Sequence, residues 1–102
     1  MAFQQSDGLI KFRPAVLIKK VPPFDDLLVC AVSTQLQNFV PGLDIIMKEG
    51  EPDFPKTRLK QSSVIRVAKL ATIPASGVEG EIGKISRERY QQLLNKLNSF
   101  LK

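Results

Sequence analysis

The sequence predicts a mainly β domain with some α content: a small barrel or curled sheet capped by one amphipathic C-terminal helix. Three observations predict it. Short apolar and β-branched runs, cut by Pro, Gly and Asp turn signals, succeed one another up to Ile85. One stretch of helical periodicity then runs to Leu101. Finally, 102 residues, 43% of them hydrophobic, suffice for one core but not for two. A single domain over residues 1–102 is therefore expected, with strands within about 13–85 and a helix over about 87–101.

Each element has a local reason. Residues 15–19 read Ala-Val-Leu-Ile-Lys and are entered through Arg13-Pro14. Proline cannot donate to a ladder, so it suits the start of a strand. Val21-Pro22-Pro23-Phe24-Asp25-Asp26 reads as a turn. Residues 27–33 are nearly all apolar and read as a buried central strand. Cys30 within it is a small core filler. Residues 34–40 have room for one helical turn before Pro41-Gly42, and residues 43–47 form a further short strand. Residues 51–58, with Pro52 and Pro55, read as an exposed loop.

Residues 63–70 are rich in β-branched side chains and read as a strand. Ile65 and Val67 share one face; Val64, Arg66 and Ala68 share the other. Residues 81–85 are expected to form a short last strand. In the helix, Tyr90, Leu93, Leu94, Leu97, Phe100 and Leu101 recur on one face. Ser86 is the natural N-cap, with Glu88 in the first turn and Ile85 placed to staple onto Tyr90.

Composition removes several function classes. There is no His and only one Cys. Imidazole base catalysis, His-based zinc sites and an intrachain disulfide are thereby excluded. No GxxxxGK[ST] or GxGxxG string supports a nucleotide-phosphate loop. No apolar run reaches the roughly 18 residues that would span a bilayer. The first residues lack a secretory layout, so a cytoplasmic setting is expected.

The net charge of +5 is unevenly spread. Residues 1–50 hold five basic and five acidic side chains, whereas residues 51–102 hold ten basic and five acidic. Between Asp53 and Glu79 there is no acid, yet Lys56, Arg58, Lys60, Arg66 and Lys69 fall in that gap. Such a stripe suits a polyanion, because each neutralised phosphate releases counterions. Charge alone favours a solvated basic surface that aids solubility.

Four blocks resemble one family. Arg13-Pro14-Ala15-Val16-Leu17 is similar to the Arg-Pro-Ala-Leu-Val that opens the second strand of MazF/PemK-like toxins. Val29-Cys30-Ala31-Val32-Ser33-Thr34-Gln35 resembles their Val-Ala-Pro-Ile-Thr-Ser-Gln segment. Leu59-Lys60-Gln61-Ser62-Ser63-Val64-Ile65 is similar to Leu-Lys-Lys-Pro-Ser-Val-Val, and Ile82-Gly83-Lys84-Ile85-Ser86 to Ile-Gly-Lys-Leu-Ser. The resemblance implies an SH3-like barrel and a homodimer. It also implies a metal-independent endoribonuclease, without cofactor, that cuts single-stranded RNA and is neutralised by a protein antitoxin. It places Arg13, Ser33 and Arg66 in catalytic positions. Thr34, Gln35, Lys56, Arg58, Lys60 and Lys69 become RNA contacts.

Metal-free RNA cleavage uses the 2′-OH as nucleophile and needs a cation for the charge on the crowded phosphorus. Arginine suits that role, because its fork bonds two phosphate oxygens and stays protonated. Three departures from the family stand out. Ser33 replaces the usual Thr, Ala68 replaces a frequent Asp, and Met1-Ala2-Phe3 matches only the tail of the opening strand. A shortened first strand is expected; Asp7 is the acid left near Arg13 to act as base, but an exposed carboxylate is a weak base, and beside Gly8 it reads first as a turn residue. The alternative reading is a catalytically inactive barrel that binds RNA or protein.

Overall fold

The computed structural model describes residues 2–4, 12–80 and 83–102, with side chains from Pro14 to Val78 and from Gly83 onward. The strands are β1 (Ala2–Gln4), β2 (Phe12–Val21), β3 (Asp26–Ser33), β4 (Ile45–Met47), β5 (Ser63–Pro74) and β6 (Val78–Gly80). Two helices accompany them, α1 (Phe54–Thr57) and α2 (Arg87–Leu101), with single 3-10 turns at Leu36–Asn38 and Ala75–Gly77. The strands lie in the order β4-β5-β3-β2-β1-β6, every pairing antiparallel. The outcome is the expected mainly β fold, a curled half-barrel carrying a C-terminal helix.

Strand β3 is central, as its apolar run predicts. It pairs with β5 from Asp26↔Pro74 to Ser33↔Val64 and with β2 from Ala15↔Ala31 to Val21↔Asp26. Side-chain alternation splits its residues between two clusters. Cys30 and Val32 join Val16, Ile45, Ile65, Val67, Leu93 and Leu97 in the main core. Leu27 and Val29 join Ala15 on the opposite face, beneath Ile73 and Val78. Two irregularities bend the sheet, between Leu17 and Lys19 in β2 and at Cys30/Ala31 opposite β5.

Helix α2 starts as its sequence predicts. Ser86 Oγ accepts from Arg89 N–H at 3.1 Å, and Glu88 occupies the positive first turn. Leu93 and Leu97 are buried, and Ile85 and Leu94 pack against the same core. The apolar stripe outruns its cover, because Phe100 and Leu101 remain 52% and 67% exposed. Tyr90 ties the helix to the sheet by donating from its hydroxyl to the Ile18 carbonyl at 2.6 Å.

Five expectations change. The loop expected at 51–58 contains α1, whose Phe54 and Thr57 are buried. Proline breaks a helix interior but is tolerated in its first turn, and Pro55 sits there. The last strand expected at 81–85 is instead β6, ending at Gly80; residues 83–86 carry no strand and 81–82 lie outside the described residues. Gly83 is drawn instead against the α1 backbone. The turn expected at 21–26 shortens because β2 runs to Val21, and its Pro22-Pro23 bond is cis. Strand β5 continues past Leu70 to Pro74. Strands are expected only within about 13–85, yet β1 lies before that range and bridges the sheet: Phe3 pairs with Arg13 of β2 and with Val78 of β6.

Candidate functional site

The sheet register gathers the three catalytic candidates at one end of β2, β3 and β5. Ser33 ends β3 opposite Val64, and Arg66 sits opposite Ala31. In an antiparallel pair, opposed residues and every second residue share a face, so Ser33 and Arg66 are diagonal neighbours on one face. The β2–β3 ladder runs out at Ala15↔Ala31. Continued by two residues, that register puts Arg13 opposite Ser33. Arg13 is placed by its backbone alone, and Asp7 lies outside the described residues.

Ser33 is half-buried, and its Oγ accepts from the Gln35 N–H at 3.0 Å. Among the described residues the hydroxyl proton has no acceptor, so it is available to an incoming phosphate oxygen. The short turn after β3 exposes Thr34 and Gln35, and Gln35 Oε1 accepts from Gln37 Nε2 at 2.6 Å. Both residues therefore flank Ser33 at the surface.

Arg66 is not an unpaired cation. Its Nε lies 3.5 Å from Asp44 Oδ2, with the arginine side chain 30% exposed and the aspartate 2%. Asp44 also accepts from Val40 N–H at 3.1 Å and from Val67 N–H at 3.2 Å. Sequence reasoning missed this acid. The available signal was an aspartate inside the apolar run of residues 43–47, where a buried charge requires a partner.

The predicted basic stripe divides. Lys56 lies on α1, Arg58 caps it, and Lys60 lies in the loop that enters β5 beside the Ser33 end; all three are exposed. Lys69 lies within the irregular stretch of β5, next to Leu70, which pairs with Cys30. Three residue steps along β3 separate Cys30 from Ser33, about 10 Å at the rise of a strand. Arg58 holds φ at +60°, the left-handed region in which a side chain is disfavoured.

A second network holds α1 in place. Arg89 contacts Glu51 Oε2 at 2.8 Å and Asp53 Oδ2 at 3.1 Å, and Ser86 Oγ donates to Asp53 Oδ2 at 2.9 Å. Burial pushes the Asp53 carboxyl up, but the Ser86 and Arg89 hydrogen bonds outweigh it and hold the group below its ordinary value. The Lys48 N–H, followed by Arg89, does the same for Glu51. Nearby, a mostly apolar cleft of about 430 Å³ is bounded by Pro14, Val32, Leu59, Ile65, Val78 and Ile85. The Cys30 thiol is pushed up to about 12, chiefly by burial, and is inert core. Among the described residues no helix is long and apolar enough to cross a membrane.

Comparison with known proteins bears on this geometry. No curated protein matches the chain. The fold is similar to that of the Mycobacterium tuberculosis toxin MazF-mt6, with a TM-score of 0.71 and 19% identity, covering 97% of this chain and 93% of that one. A family model for PemK-like, MazF-like toxins matches residues 1–101. That match spans all four resembling blocks and the strands that bring Arg13, Ser33 and Arg66 together. The chain belongs to the PemK-like, MazF-like toxin family of type II toxin–antitoxin systems.

Proposed function

We propose that this toxin is a metal-independent endoribonuclease that cuts single-stranded RNA and is neutralised by a protein antitoxin. The observation that carries the reading is the register, which sets Arg13, Ser33 and Arg66 at neighbouring positions on three adjacent strands. Family membership supports it. The working form is a cytoplasmic homodimer; a symmetric pair is the commonest closed arrangement.

The reaction runs through the substrate's own 2′-OH. That oxygen attacks the adjacent phosphorus, the bond to the 5′-oxygen breaks, and the products are a 2′,3′-cyclic phosphate and a free 5′-OH. Arg13 and Arg66 balance the charge that builds on the non-bridging oxygens. The Ser33 hydroxyl donates a further hydrogen bond to the same group. Thr34, Gln35, Lys56, Arg58, Lys60 and Lys69 hold the flanking nucleotides. Asp7 is the base candidate nearest Arg13 in sequence.

The test is cleavage of mixed-sequence RNA by the purified chain and its variants. Arg13→Ala is expected to cost about 10²–10³ in rate, the usual scale for one transition-state donor. Arg13→Lys rescues poorly, because a point charge cannot make two parallel bonds. Ser33→Ala costs less, as a neutral donor is weaker than a charged one. Equal activity of Arg13→Ala and wild type would overturn the assignment. A second reading, a barrel that binds RNA without cutting it, is favoured by Ala68, which stands where the family resemblance implies a frequent Asp. Intact RNA that is nonetheless bound by the wild-type protein would select it.

A further inference from the structure

We propose that Asp44 is a positioning residue for Arg66: it holds the guanidinium by its Nε side and leaves the two terminal nitrogens for a phosphate. The inference rests on the ribonuclease reading and names a residue that reading does not require.

The placement follows from strand pairing. Ile45 pairs with Ile65 in the β4–β5 ladder. One residue further, that register sets Asp44 opposite Arg66, a cross-strand pair of opposite charge. Asp44 is 3% exposed, so its charge must be compensated within the protein. Three groups compensate it. Val40 N–H and Val67 N–H donate to its two oxygens, and Arg66 Nε lies 3.5 Å from Oδ2.

Val67 N–H is available because β5 leaves the ladder at this point. The pairing passes from Cys30↔Leu70 directly to Ala31↔Arg66, so Val67, Ala68 and Lys69 have no partner in β3. One carboxylate therefore fixes the turn at 40–44, the irregular stretch of β5 and the direction of the arginine.

The arginine keeps its recognition capacity. Among the described residues neither terminal nitrogen of Arg66 makes a hydrogen bond, and its side chain is 30% exposed. The 3.5 Å separation marks an ion pair, not a hydrogen bond that a substrate would have to break. Arg66 shares its sheet face with Ser33, so the free fork lies on the side where the scissile phosphate would sit. An anion beside a phosphate site also weakens ground-state binding. Asp44 therefore acts with opposite signs on the two steps: it lowers RNA affinity and raises the rate of cleavage.

The experiment is a double-mutant cycle of Asp44→Asn and Arg66→Gln in the full chain, with melting temperatures recorded alongside. Affinity is read with a 2′-deoxy single-stranded oligonucleotide across a salt series, and rate by single-turnover cleavage of RNA. Asp44→Asn is expected to tighten binding about threefold at low salt, the effect of removing one charge ~7 Å away in water. It is expected to slow cleavage about 10- to 100-fold, as arginine orientation is lost. The rate effect should vanish in the Arg66→Gln background, while the affinity effect, a direct repulsion between Asp44 and the phosphate, should persist there. A loss of affinity together with rate, or a rate effect that persists without Arg66, would show Asp44 to be a structural residue only and overturn the proposal.

Arg66→Lys provides a second arm that leaves the backbone bonds of Asp44 intact. Its single ammonium faces Asp44 and offers no fork, so activity should fall to the level of Arg66→Gln; activity equal to wild type would overturn the proposal. A wild-type protein that binds the oligonucleotide but leaves RNA intact refutes the ribonuclease reading alone. The affinity half of the cycle then still decides the role of Asp44.

Discussion

Gly83→Ala tests how the C-terminal segment is seated on α1. A Cβ at Gly83 would meet the Lys56 carbonyl oxygen at 2.7 Å and the Thr57 carbonyl group closer still. Ordinary contact begins at 3.4 Å, so at least 0.7 Å of movement is required, and the obstructing atoms are backbone. The adjacent Lys84 N–H donates to the same Lys56 carbonyl at 2.8 Å, so movement also stretches a hydrogen bond. Overpacking costs about 1–3 kcal/mol and a lost hydrogen bond about 1 kcal/mol, or roughly 2–4 kcal/mol together. For a domain of this size that lowers Tm by about 10–25 °C. Thermal melts by circular dichroism measure it. Gly77→Ala is the control, because its new methyl would meet only Pro74 Cγ, at 3.9 Å. A Gly83→Ala melt within about 2 °C of wild type, a shift worth well under 1 kcal/mol, would refute the close approach and with it the seating of α1.

Three further outcomes are expected. Glu51 and Asp53 are held below their ordinary values, so the stability they add is present above about pH 4 and is lost as pH falls through their folded values. Urea midpoints for wild type and Arg89→Gln should therefore converge below pH 4; a gap independent of pH would contradict this. Cys30, with its thiol pushed up to about 12, should resist iodoacetamide at neutral pH until the protein unfolds, and rapid native alkylation would contradict its placement. Arg58→Gly should relieve the left-handed backbone at φ +60° and raise stability by up to about 1 kcal/mol, while weakening RNA binding. A stability loss on equilibrium unfolding would show that the side chain, not the backbone, decides there.

The parts of the fold legible in the sequence are those with a strong period. Residues 27–33 stand out because a strand buried on both faces is apolar throughout, and α2 because its cap and stripe agree. Helix α1 was hidden by Pro52 and Pro55, which read as loop until burial of Phe54 and Thr57 shows what the turn is for. Gly83 was visible as a motif residue, but its reason is a tertiary contact that no local pattern encodes. The candidate site was legible as residue types and not as geometry. Nothing local links Asp44 to Arg66, 22 positions apart, until β4 and β5 are set in register. Likewise the basic stripe is continuous in sequence, yet Lys69 lies in the irregular stretch of β5 and not with the cations around α1.

The most direct test is the chemistry of the cut end. Purified protein is incubated with single-stranded RNA in excess EDTA, and the fragments are analysed by mass spectrometry. A ribonuclease that relies on the substrate 2′-OH and on Arg13, Ser33 and Arg66 cuts under these conditions and leaves 2′,3′-cyclic phosphate opposite a free 5′-OH. Intact RNA, or fragments with 5′-phosphate that appear only when metal is restored, would contradict it.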